Sequence, residues 1–218
     1  MKLKIKKELN KKIAITLFTL FMFSIFQFYS IVKIVSAADD TDDVVVTLDV
    51  TAGITISDGD PVIMAPNIGI VSDSSIGSSS WLVKTNALNG YTLAVKATTT
   101  PALKSGTESF ADYTELVLGT PEAWSVGAGD KEFGFSAYGT DTATATWGTA
   151  ASCGAAGVPD VAQYYVGLST SDKTIATRAA VTPTAGITTT ICFAAAQNAI
   201  YAASGTYTAT ITATATTL

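Results

Sequence analysis

The chain has 218 residues, with thirteen basic and eighteen acidic side chains, two cysteines and no histidine. The missing histidine excludes Ser-His-Asp and Cys-His catalysis in their usual forms and every histidine-ligated metal site. Beyond residue 37, six basic residues face seventeen acidic ones, a net charge of −11. A surface of that sign repels phosphates, so no nucleic acid partner is expected.

Residues 1–12 hold six lysines and one acid, Glu8, and a mainly apolar run follows at residues 13–32. Small residues then stand at Ser36, Ala37 and Ala38. A basic, an apolar and a small-residue part in that order predict a secretory signal over residues 1–37. The apolar run is also long enough to span a bilayer, so an uncleaved membrane anchor through residues 13–32 is the rival reading. The remainder, residues 38–218, has the length of a single extracellular domain.

From residue 38 on, period-two alternation replaces helical periodicity. Residues 44–50 place Val44, Val46, Leu48 and Val50 on one face of a predicted strand. Residues 80–85 and 91–96 flank Asn89-Gly90 and predict a β-hairpin. Further strands are expected at residues 132–138, 163–168 and 189–194. The cleanest pattern is residues 205–216, where threonines alternate with Tyr207, Ala209, Ile211, Ala213 and Ala215. Residues 98–109 and 139–160 are rich in small residues and read as longer loops. The sum is an all-β fold, an antiparallel β-sandwich of immunoglobulin-like or pilin-like kind after an N-terminal signal or anchor helix.

Cys153 and Cys192 are expected to form one disulfide in an oxidising compartment. Two cysteines without histidine do not make a zinc site. Ser136 sits in a partial nucleophile-elbow pattern, but on a predicted strand and with Tyr138 in place of the final glycine. Glu108, Glu115, Glu122 and Glu132 show no spacing that pairs two carboxylates on a sheet face, as glycoside hydrolysis would need. Acidic residues at 39–43 and at Asp58 and Asp60 lack the spacing of a calcium loop. No cofactor is expected. Trp124 and Trp147 lie beside loops and are the candidate ligand-contact aromatics, whereas Trp81 lies on a strand and reads as core.

Residues 86–93 and 205–212 resemble segments of uncharacterised secreted β-sandwich surface proteins encoded in genomes of uncultivated small-genome bacteria. More distantly, the chain is similar to the WxL cell-wall-binding domain. Tyr91 stands where that family has its first tryptophan, and the last strand here holds Ala213 and Thr214 instead of a second one. The resemblance implies a β-sandwich at an extracellular surface.

These readings converge on a non-enzymatic exported structural protein, a subunit of a surface layer, pilus or filament. The polar residues before the strand at 44–50 suggest that this strand pairs with a neighbouring subunit's sheet. Pairing within its own sheet is the competing expectation. The alternative function is a cell-wall or glycan-binding module that uses Trp124 and Trp147.

Overall fold

The computed structural model describes residues 2–29 and 44–218. The expected cleavage site and the acidic cluster at 39–43 lie outside the described residues. The chain divides into two units, Met1–Asp49 and Val50–Leu218. In the first, α1 runs over Lys2–Tyr29. Among the described residues no helix is long and apolar enough to cross a membrane, and the expected apolar run at 13–32 continues past them.

The second unit is all-β and mostly antiparallel. Its longer strands are β2 (Ser74–Thr85), β3 (Tyr91–Ala97), β8 (Lys131–Gly139), β12 (Lys173–Arg178), β13 (Ile187–Gln197) and β14 (Ile211–Thr217). Shorter ones are β1 (Ile54–Ile56), β6 (Ala111–Asp112), β7 (Glu122–Ala123) and β11 (Tyr164–Gly167). Two small hairpins, β4 (Lys104–Ser105) with β5 (Glu108–Ser109) and β9 (Gly154–Ala155) with β10 (Val158–Pro159), decorate the loops, as does the single turn of α2 (Thr144–Trp147).

The larger sheet has the order β1-β2-β13-β8-β11-β7, with β6 added in parallel beside β8. The smaller sheet has the order β12-β3-β14. Val83 and Ile191 of the first sheet, and Tyr91, Leu93 and Val95 of the second, are fully buried members of one hydrophobic core. Burying such side chains is worth roughly 1.5–3 kcal/mol each, which makes this layer the main source of stability.

The larger sheet is covered on its other face as well. Cys192 and Ala194 alternate with the core-facing residues of β13 and are sealed beneath Tyr113 and Tyr165. Coverage on both sides explains why β13 is buried almost end to end.

Two strand expectations are corrected. Residues 80–85 and 91–96 do not form a hairpin. β2 pairs with β1 and β13, whereas β3 pairs with β12 and β14, so the connection turns a corner between sheets. Asn86 serves that corner by accepting from the Gly53 amide at 2.6 Å and donating to the Thr51 carbonyl at 2.9 Å. Gly90 has φ +82°, and a Cβ there would meet the Arg178 carbonyl oxygen at 2.0 Å. Only glycine fits such a position.

The second correction concerns residues 44–50. They form no strand, and Val44, Val46, Leu48 and Val50 are 81, 86, 83 and 75% exposed. The pattern is that of a strand, but no sheet edge among the described residues receives it.

Candidate functional site

The polar groups singled out in the sequence are tied into the fold by hydrogen bonds. Ser136 is fully buried on β8, and its hydroxyl donates to Gln163 Oε1 at 3.1 Å. Gln163 in turn donates to the Ser152 carbonyl, so Ser136 anchors the segment carrying the disulfide. The glutamates serve a loop. Glu115 accepts from the amides of Gly119 and Gly167, Glu122 from Leu116 and the Tyr113 hydroxyl, and Glu132 from Thr114. Burial raises the Glu132 carboxyl above its usual range, opposed by the bond from Thr114. Among the described residues no cluster of three acidic or cysteine side chains could hold a metal ion.

The disulfide joins Cys153 to Cys192 with 5.3 Å between the Cα atoms, across 39 residues. It lies on the outer face of the larger sheet, away from the inter-sheet core. Closing a loop of that size contributes about 4 kcal/mol in the chain-entropy account.

The two candidate aromatics part company. Trp147 is 2% exposed, and its ring packs 5.5 Å from that of Phe135. It is a core residue, because the single turn of α2 folds it inward beneath the loop. It is also among the residues that line the open depression described below. Trp124 is half-buried, stacked at 4.7 Å on Tyr113 and edge-on at 5.3 Å to Tyr165. Burial, reinforced by the Glu122 carboxylate, pushes the Tyr113 hydroxyl up to about 12. The trio seals the sheet face over Cys192, so Trp124 also has a structural task. Trp81 is buried in the core as expected.

One open depression of about 420 Å³ lies between the loop after β8 and strand β12. Its one charged group, Asp141, is already committed. Asp141 accepts from the Tyr91 hydroxyl at 2.8 Å and from Arg178 at 3.2 Å, and its own carbonyl accepts from the Thr177 amide. The side chain is 7% exposed. Burial first, and then the Asp141 carboxylate, raises the pKa of Tyr91. This lone aspartate in a small-residue loop was missed by sequence reasoning, since neither periodicity nor motif marks it.

The remaining candidate is the segment 44–50. Five of its seven side chains are large and apolar, and all five are at least 75% exposed. Three residues further on the chain enters β1, where Gly53 is held by Asn86 and its carbonyl also accepts from Thr85.

Comparison with protein-family models, with curated proteins and with solved structures found no match.

Proposed function

We propose that this protein is an exported, non-enzymatic structural subunit of the cell surface that assembles by giving residues 44–50 to the sheet of a neighbour. The observation that carries the reading is the exposure of Val44, Val46, Leu48 and Val50 in a segment with strand periodicity and no strand partner. Fully exposed apolar side chains of that number mark an interaction surface. An extended segment satisfies its backbone by joining a sheet edge, while its alternate side chains fill the partner's core.

Export is supported by the basic and apolar N-terminus and by the disulfide, which is compatible with an oxidising compartment. The glycan-binding alternative has as its aromatics the half-buried Trp124 and Trp147, which is buried but lines the open depression beside Asp141.

Sedimentation of the exported protein over a concentration series tests the proposal. The expected result is association that rises with concentration and disappears when residues 38–50 are removed. A chain that stays monomeric at high concentration overturns it.

A further inference from the structure

The assembly reading requires an acceptor, and we infer that it is the outer edge of β14 in a second copy of this chain. The inference rests on the proposed donation of residues 44–50 and adds where they go.

The two larger sheets end among the described residues in β1, β6, β7, β12 and β14. β1 is three residues long, β6 and β7 two each, too short to pair with a seven-residue segment. β12 carries Lys173 and Arg178, and its Thr177 amide is capped by the Asp141 carbonyl. β14 has seven residues, Ile211–Thr217, with no charge, proline or glycine among them. Natural sheet edges are ordinarily blunted by shortness, charge, proline or cover; β14 is neither short nor charged and holds no proline, and β1 approaches it without pairing with it.

The register identifies the groups on offer. Thr210 accepts from the Thr98 amide, and the Leu218 amide donates to Gly90, which places the even-numbered residues of β14 in hydrogen-bonded pairs with β3. The N–H and C=O groups of Ile211, Ala213, Ala215 and Thr217 therefore point away from β3. No backbone hydrogen bond reaches them among the described residues. β1 comes near β14 but makes no ladder with it.

The side chains match the same positions. Ile211, Ala213 and Ala215 face the core yet are only partly buried, whereas the inward residues of β3 are buried along its whole length. Four alternate apolar residues of the donor, Val44, Val46, Leu48 and Val50, can oppose Thr217, Ala215, Ala213 and Ile211 in either strand direction. Large donor side chains then meet small acceptor ones. Val45, Thr47 and Asp49 lie on the outer face beside Thr212, Thr214 and Thr216. Half-covered alanines and an unpaired edge are thus completed by one and the same strand.

The test places a photo-crosslinking residue at position 46 of the full exported chain and mixes isotopically labelled with unlabelled protein. The expected product joins position 46 to residues 211–217 of a different chain. Ala213→Pro is the second arm, because it removes an outward N–H without touching the ladder to β3. It is expected to lower association at least tenfold while the melting curve is retained. If that variant melts early, the cross-link map decides alone. Intermolecular cross-links that map elsewhere, or undiminished association of folded Ala213→Pro, overturn the acceptor while leaving donation by residues 44–50 standing; cross-links only within one chain overturn both. A protein that neither associates nor cross-links between chains overturns both.

Discussion

The three-stranded sheet has two unlike edges. At β12, the loop after β8 supplies Asp141, which binds Arg178, the Thr177 amide and the buried Tyr91 hydroxyl of β3. At β14, four residues turn their backbone groups outward with no partner among the described residues. Both edges flank the same central strand, so burial of the middle does not explain the difference. The edge with a lone buried carboxylate and two cationic residues is tied down at Thr177 and Arg178, and the edge built of threonine and alanine has no such tie, although β1 approaches it. Closure by specific polar contacts belongs to a finished edge. An uncharged, regular one suits addition of another strand.

The contrast can be broken most strongly through the disulfide. Cys153 belongs to the same inter-strand connection as Asp141. Replacing Cys153 and Cys192 together by alanine is expected to lower stability by about 4 kcal/mol in chemical denaturation. It should also speed amide exchange in β12 more than in β14. Next in size, Asp141→Ala leaves the buried Tyr91 hydroxyl without its acceptor and Arg178 without its ion pair. A loss of about 2 kcal/mol in chemical denaturation is expected, with association unchanged.

At the open edge the comparison sharpens to adjacent residues. Thr214→Pro removes an N–H that bonds β3 and is expected to cost about 1–2 kcal/mol. Ala213→Pro removes one that bonds nothing and should cost clearly less in the same measurement. Equal losses would mean that the assigned register is wrong.

The smallest effect is expected under the aromatic cover of the larger sheet. The Tyr113 hydroxyl is raised to about 12 in the folded protein, first by burial and then by Glu122, from an ordinary value of 10.0. The folded state therefore favours the neutral phenol. The associated stability is intact below pH 10 and lost as the pH rises from there towards about 12. Tyr113→Phe should remove part of that alkaline decline in a pH series of melting curves.

Much of this fold was legible in the alternation of side chains. β8, β13 and the threonine-alanine strand β14 follow it, although β14 begins at Ile211 and leaves Tyr207 outside. The disulfide followed from two cysteines and the expected compartment. Other features could not be read, for particular reasons. β12 contains a register shift between Thr174 and Ala176, which destroys its period of two. The first half of β2 is serine and glycine apart from Ile76, a loop-like composition, and becomes a strand because β13 pairs with it from Ser74 to Val83. β2 and β3 alternate as hairpin partners would, but alternation identifies an inward face and not whether a neighbour lies beside or opposite. Residues 44–50 carry the strand pattern without a strand, since period encodes what a segment can pair with and not where the partner is. Asp141 carries no pattern at all; its role arises only when β3 and β12 come together beside it.

The most direct measurement is amide hydrogen exchange on the protein, dilute and concentrated. The account predicts that amides of residues 44–50 and those of Ile211, Ala213, Ala215 and Thr217 gain protection as concentration rises, while the Thr177 amide in β12 is protected throughout. Exchange at residues 44–50 and along β14 that is the same at every concentration would contradict it.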